Sequence, residues 1–403
     1  MDIINGRVFW PDTYIKQPHT NPEISPFYDA IIVGGGISGV LTAKALMDEG
    51  LKIAILDKEV PGEGSTSANT GLLQYSNDIM LHELIEQIGK KDAVRFYKLC
   101  NTALDELEEI SQTMLNKADF TRRPSIYYAS RKKHKKKIQK EFETLLKFGF
   151  PVDYWGSRVL KKKMGFEKSA ALVTYNDAEF NPYKFVQELL EQLKERGLHV
   201  FEHTPVHVIE DENEAITIHT IAGIFHTQKI IYTTGYHDVP FGKVKGANIN
   251  RSYALVTNPI PNFEGWHEKA LIWETARPYL YLRTTIDNRI IIGGLDDKKA
   301  KAPSEKRIQK HTKKLLEELH ELFPQYEVKA DYLYGASFGN SKDALPFIGE
   351  HPEQPNHFYL LGLGGNGTVY SMLGSKILAD LVMDRENDDA RLVTLDRKNG
   401  IKT

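Results

Sequence analysis

Cysteine is almost missing from this chain: Cys100 is the only one in 403 residues. Its rarity excludes an intrachain disulfide framework and any cysteine-clustered zinc or iron–sulfur centre, so no metal site is expected and a reducing, cytoplasmic setting fits best. Net charge is nearly absent too, at −2, which leaves no global field to draw nucleic acid or anionic lipid. Long apolar runs are lacking, and none suffices to span a bilayer. The first 27 residues carry Pro11, Pro18, Pro22 and Pro26 among polar residues and lack a signal-peptide apolar core. The expectation is therefore a cytoplasmic protein with neither a membrane span nor a nucleic-acid partner. Its length exceeds what one hydrophobic core usually supports, so two domains, interleaved along the chain, are expected.

Glycine, by contrast, is concentrated where it can do chemistry. Tyr28-Asp-Ala-Ile-Ile-Val-Gly-Gly-Gly-Ile-Ser-Gly39 is an apolar run entering a glycine loop, the pattern of a buried parallel strand followed by a helix. Gly34 permits the tight turn, Gly36 lets backbone approach a diphosphate, and Gly39 lets helix pack closely on strand. A helix over 40–49 breaks at Gly50, and a second apolar strand, Lys52-Ile-Ala-Ile-Leu-Asp57, ends in a carboxylate. That acid stands about twenty residues beyond the loop, where it suits ribose hydroxyls. The complete strand, loop, helix, strand and acid unit predicts dinucleotide binding far more specifically than the glycines alone.

The remaining chain alternates between two rhythms. Apolar residues at helical spacing from Leu81 to Leu107 predict two or more amphipathic packing helices. The basic run Arg131 to Lys137 opens a helical stretch and, lacking interleaved aromatics, reads as a solvated face. A helix follows Asn181-Pro-Tyr and stops at Gly197. Short strands follow over 198–235 and again over 251–294, where Tyr279-Leu-Tyr-Leu-Arg-Thr and Arg289-Ile-Ile-Ile-Gly-Gly flank an Asp287-Asn288 turn. Finally, an apolar strand from Phe358 enters Gly362-Leu-Gly-Gly-Asn-Gly367, with a helix expected from about Ser371 to Met383.

The order of these parts from Tyr28 to Met383 resembles the D-amino-acid-oxidase-like family of FAD-dependent oxidoreductases. The segments that carry the resemblance are Ile32 to Gly39 with Asp57, Gly62 to Gly71, Asn181-Pro-Tyr with Thr204-Pro-Val206, Ile230 to Gly235, and Asp343 to Gly349 with Gly362 to Gly367. The resemblance implies an α/β fold: a Rossmann-like FAD-binding domain interleaved with an α+β substrate domain on a mixed, antiparallel-rich sheet. The implied division is an N-terminal extension over 1–27, FAD-binding segments over 28–82, 176–240 and 335–403 (the last including the C-terminal tail), and substrate-domain segments over 83–175 and 241–334. The implied FAD contacts are Gly34, Gly36, Ile37, Ser38, Gly39, Asp57, Lys58, Ser65, Thr66, Ser67, Asn69, Thr70, Gly71, Leu72, Val206, Thr234, Gly235, Gly364, Gly365, Asn366, Gly367 and Thr368. Backbone N–H groups from Gly364 to Thr368, at a helix N-terminus, would stabilise the negative charge that a flavin gains on accepting a hydride.

The departures from the family bear on substrate. Phe338 stands where glycine oxidases place a carboxylate-binding arginine, and Ile291 where sarcosine oxidases place an oxygen-activating lysine. Ala336 lies near the position of a flavin-linking cysteine and Cys100 far from it, which implies non-covalent FAD. Strand alternation puts Tyr279, Tyr281 and Arg283 on one face, making Tyr281, Arg283 and Phe338 the substrate-pocket candidates, with Arg283 as a substitute anchor for a carboxylate. His237 and His267 read as structural or surface histidines rather than acid–base groups. The implied activity is oxidation of a C–N bond of an amine or amino acid by hydride transfer to flavin, giving an imine that hydrolyses, with oxygen or another electron acceptor. The alternative is a flavin-binding component without turnover of its own, such as an assembly partner or a tRNA-modification-related domain.

Overall fold

The structure is a computed structural model that describes residues 3–212, 215–235, 247–299, 302–361 and 364–397. The strand Tyr28–Val33 is buried on both faces because its residues alternate between two cores: Ala30 and Ile32 enter one, Tyr28 and Ile31 the other. Its parallel neighbour Ile53–Leu56 divides in the same way, with Ala30 opposite Ile53 and Val33 opposite Leu56. Burial on both sides explains why these strands read as unbroken apolar runs. Among the described residues this sheet has eight strands, ordered Phe347–His351, Gln354–Leu361, Gly223–Tyr232, Tyr28–Val33, Ile53–Leu56 and His199–Phe201, with Ala215–Thr220 and Val206–Glu212 branching from Gly223–Tyr232. The helix Ile37–Asp48 covers one face and packs against the helix Gly367–Val382, where Ser38 and Ser371 share a hydroxyl hydrogen bond of 2.8 Å.

A second sheet of ten strands is mostly antiparallel. Its order is Ile4–Arg7, Ala330–Ser341, Ala247–Thr257, Ile290–Asp297, Leu280–Thr284, Leu271–Glu274, Thr121–Tyr128, Ala170–Glu179 and Leu72–Leu73, with Val152–Gly156 also paired to Ala170–Glu179. One pair, Leu271–Glu274 with Thr121–Tyr128, is parallel. The fold is thus the mixed α/β architecture expected.

Two of the expected domain boundaries fall inside strands of this second sheet. The boundary at 175/176 cuts Ala170–Glu179, and that at 334/335 cuts Ala330–Ser341. The N-terminal segment is also no loose extension, since Ile4–Arg7 pairs with Leu333 to Ala336 and Phe9 and Trp10 are buried. A four-residue strand is too short to show a period, and the prolines around it read as linker. The expected helices fall close to their places, at Ile37–Asp48, Leu81–Ile88, Lys90–Gln112, Pro182–Glu195 and Gly367–Val382. Lysines of the basic run are exposed, with Lys137 paired to Glu83 at 2.8 Å. Among the described residues no helix is long and apolar enough to cross a membrane.

The N-terminus of Leu81–Ile88 is capped from a distance. Glu141, 2% exposed on the helix Lys135–Lys147, accepts Leu81 N–H at 2.7 Å, His82 N–H at 3.0 Å and the His82 Nδ1–H at 2.6 Å. A carboxylate at a helix N-terminus satisfies free donors and the helix dipole together. Glu141→Ala should therefore lower unfolding free energy by about 2–4 kcal/mol, since it strands buried donors. Denaturant titration of wild type, Glu141→Ala and the milder Glu141→Gln measures it. Equal midpoints for all three would show the cap to be dispensable.

Candidate active site

The glycine loop separates two demands that a sequence cannot distinguish. Gly34 has φ of +106°, and a Cβ there would lie 2.7 Å from Thr233 O. A Cβ on Gly39 would lie 2.0 Å from Gly34 O, so the protein's own packing requires both glycines. Gly36 differs: its φ is −75°, and its Cβ would meet only Thr66 Oγ1, at 3.1 Å. The space beside Gly36 belongs to a cavity of about 760 Å³ that the residue lines. This cradle, which a side chain would fill, lies at the N-terminus of the helix Ile37–Asp48, the arrangement that seats phosphate. Asp57 lines the same cavity and is held in place by Gly35 N–H on Oδ2 at 2.6 Å and Glu59 N–H on Oδ1 at 2.9 Å.

The cavity gathers most of the expected cofactor contacts. Gly34, Gly36, Ile37, Ser38, Asp57, Lys58, Ser65, Thr66, Asn69, Thr70, Leu72, Val206, Thr234, Gly235, Gly364, Gly365, Asn366 and Gly367 all line it. Four others stand behind the wall. Gly39 packs on Gly34; Ser67 Oγ donates back to the carbonyls of Glu63 and Gly64; Gly71 receives Arg283; and Thr368 Oγ1 accepts from Asn69 Nδ2 at 3.2 Å. The hydroxyls of Thr234 and Ser76, on two lining residues, are buried without a hydrogen-bond partner. A helix N-terminus with an unfilled space at Gly36, a ribose-suited acid and hydroxyls without partners among the described residues are a donor and acceptor set that fits FAD. Bound there, FAD supplies a two-electron acceptor.

At its other end the cavity has an aromatic wall of Trp273, Tyr279, Tyr281 and Phe338, with Ser252, Asp78 and Asp296 among them. Trp273 is fixed by stacking on Tyr127 at 3.8 Å, and Tyr281 lies across Gly293, where a Cβ would fall 2.3 Å from its hydroxyl. Burial pushes the Tyr281 phenol up to about 12 and keeps it neutral. Burial also pushes the Asp296 carboxyl up to about 6, reinforced by Asp78 and opposed by Ser252 and Arg277. Asp296 escaped the sequence reading, because it stands beside a second acid, Asp297, at the end of one strand and nothing local tells the two apart.

Arg283 requires correction. It follows Tyr281 on the strand at the alternating position, but it is 2% exposed and does not line the cavity. Its Nη1 donates to Gly71 O at 2.8 Å and Phe180 O at 2.7 Å, Nε donates to Thr284 O at 2.7 Å, and Glu179 lies 3.5 Å away. Burial draws this guanidinium below its ordinary value, with Glu179 opposing. Two residues along a strand carried it past the cavity's edge and beneath the Gly71 turn. Phe338 and Tyr281 do line the cavity. Ile291 packs in a separate cluster with Phe9, Trp10 and Tyr183. Cys100 is buried, its thiol pushed up to about 12, while Ala336 lines the cavity. His267 contacts Lys163 and Trp155 outside the cavity; His237 lies outside the described residues.

A dinucleotide cradle and an aromatic pocket sharing one cavity define a nucleotide-dependent oxidoreductase. Residues 29–381 match the family described as FAD dependent oxidoreductase, and the chain belongs to that family. The chain is similar to the glycine oxidase of Bacillus subtilis (strain 168), at 22% identity over 387 residues, 93% of this chain and 99% of that protein. It is similar to the gamma-glutamylputrescine oxidoreductase of Escherichia coli (strain K12), at 23% over 385 residues, 90% and 85%. The crystal structure of glycine oxidase from Geobacillus kaustophilus shares its fold, with a TM-score of 0.78 at 20% identity, covering 92% of this chain and 99% of that one.

The site can be tested at three points. Gly36→Val should abolish FAD retention while leaving circular dichroism unchanged, because the branched side chain enters the cradle and not the core. Purified wild type should be yellow and release its flavin on denaturation. The flavin-to-protein absorbance ratio after gel filtration reads the first, and a full ratio in the variant would refute the cradle. Arg283→Met should cost about 3 kcal/mol or more by removing the buried guanidinium that the carbonyls of Gly71, Phe180 and Thr284 accept from, although Glu179 keeps Arg123, and should weaken all substrates alike. Selective loss with carboxylated substrates would restore Arg283 as an anchor.

Proposed function

We propose that this enzyme oxidises a carbon–nitrogen bond of an amine or amino acid, giving an imine that water hydrolyses to a carbonyl compound and ammonia or a smaller amine. The observation that carries the reading is the single cavity in which the cradle and the wall of Trp273, Tyr279, Tyr281 and Phe338 meet. The names of the two curated relatives, an oxidase of glycine and an oxidoreductase of gamma-glutamylputrescine, support the same bond. The wall residues would align the reacting carbon and exclude bulk water, which favours departure of a hydride from a neutral amine. Asp296 would accept an N–H from that nitrogen and favour the positive charge developing on it. No separate histidine base is required, and Tyr281, held neutral, serves as a hydrogen-bonding wall.

The test is anaerobic mixing of the yellow protein with panels of amines, amino acids and hydroxy acids, following absorbance near 450 nm, roughly where oxidised flavins absorb. Amines or amino acids should bleach the flavin and yield a carbonyl product in equal amount. Bleaching confined to hydroxy acids would overturn the C–N reading, and no bleaching by any class would favour a flavin-binding component without turnover.

A further inference from the structure

We infer that Asp296 selects the charge of the substrate, and that the aromatic end of the cavity takes an ammonium group whose neighbouring carbon bears no carboxylate. The inference rests on the C–N reading above and narrows its substrate class.

Asp296 and Asp297 end the same strand and point to opposite faces. Asp297 has its charge balanced by two arginines, pairing with Arg251 at 2.6 Å and Arg307 at 3.0 Å, and accepts the Tyr253 hydroxyl at 2.8 Å. Asp296 lines the cavity; Ser252 hydrogen-bonds to its carboxyl, while its Oδ1 is buried with no hydrogen-bond partner among the described residues. An unsatisfied carboxylate oxygen in an apolar wall is costly, so it belongs opposite a donor or a cation. The charged groups acting on it are Asp78, Asp297 and Arg277. Arg277 is already committed, donating to Ala276 O at 2.9 Å and Asp78 O at 3.1 Å with its guanidinium 4.9 Å from the centre of the Tyr279 ring. Asp78 and Asp296 thus outnumber the one nearby cation, and Arg283 is turned away beneath Gly71.

An arriving carboxylate would face two like charges. An ammonium would satisfy Asp296 Oδ1 and lie among the π faces of Trp273, Tyr279 and Tyr281, which attract cations; the bound ammonium then gives up one proton, to Asp296 or to water, so that the neutral amine is the form from which the hydride leaves. A second cavity of about 200 Å³, lined by Asp78, Arg277, Tyr279, Asp296 and Phe338, leaves room for the rest of an elongated amine, with Arg277 as the one cation on its wall among the described residues. The raised Asp296 carboxyl agrees, because a bound cation supplies what burial removed.

The experiment is calorimetric titration of the FAD-loaded protein, its flavin pre-reduced with dithionite so that no turnover intervenes. The probes are benzylamine, phenylglycine, which differs from it only by a carboxylate on the nitrogen-bearing carbon, and uncharged benzyl alcohol. Benzylamine should bind about tenfold or more tightly than either of the others, the scale of a charge-assisted hydrogen bond. Asp296→Asn should lose about tenfold to hundredfold for benzylamine and leave benzyl alcohol unchanged, while Asp296→Glu should keep the preference. Phenylglycine binding as tightly as benzylamine to wild type, or Asp296→Asn binding benzylamine like wild type, would overturn the inference. The wild-type comparison stands even if a variant folds poorly. Amine-dependent bleaching without this charge preference would leave the C–N reading intact and sink only the role of Asp296. The preference without bleaching would do the reverse.

Discussion

A Cβ at Gly39 would stand 2.0 Å from the Gly34 carbonyl oxygen, and that closeness determines where the site can be. Because Gly39 has no side chain, the helix Ile37–Asp48 can leave the strand Tyr28–Val33 almost in contact with it. The helix N-terminus is thereby presented to the cavity, with Ile37 N–H held by Thr66 Oγ1 at 3.0 Å and no side chain at Gly36 to fill the space in front of it. The helix then seats Gly367–Val382 through Ser38 and Ser371, and the start of that second helix carries Gly364 to Gly367 to the same cavity. One close backbone approach therefore aligns two glycine loops that lie some 330 residues apart, on the scale of the 333-residue separation between those serines.

The wall between the two sheets depends on a different kind of constraint. Arg283 gathers the carbonyls of Gly71 and Phe180, and Trp10 donates its indole N–H to Asn69 O at 2.6 Å. Asn69 in turn bonds Gly71 N–H and Thr368. The segment Ser65 to Leu72 is thus tied to the larger sheet, to the N-terminal segment and to the C-terminal helix at once. Buried arginines are retained when planar, multidentate donation meets several carbonyls, and that use removes Arg283 from substrate recognition. The residue's position in the strand pattern was read correctly; its partner was not.

That distinction describes what was legible. Periodicity revealed Tyr28–Val33, Ile53–Leu56 and the long helices, because burial on one or both faces writes itself into the order of apolar residues. The glycine spacing and Asp57 identified the cradle for the same local reason. Illegible were features set by partners distant in sequence: Ile4–Arg7 as an edge strand on Ala330–Ser341, the strands at Ala170–Glu179 and Ala330–Ser341 that cross expected boundaries, and Glu141 reaching 60 residues back to Leu81. Asp296 belongs with these. Its neighbour Asp297 carries the same charge, and only the placement of Arg251 and Arg307 tells the arginine-paired acid from the one that lines the cavity.

The aromatic wall makes the contrast between those two aspartates chemically meaningful. A buried carboxylate with one oxygen left without a partner either takes up a proton or awaits a donor or cation. Asp296 has a raised carboxyl, which by itself allows either. The surroundings separate the two: a cavity continuous with the dinucleotide cradle admits a ligand, and the π faces around it favour a cation over a neutral group. Asp177 provides the internal comparison. It too is buried with its carboxyl raised to about 6, yet it accepts Tyr75 N–H at 3.0 Å and the Thr174 hydroxyl and lines no part of the cavity. The same shift in pKa therefore accompanies an acid satisfied within the protein in one place and an acid that lines the cavity in the other, and partner geometry, not the shift, tells them apart.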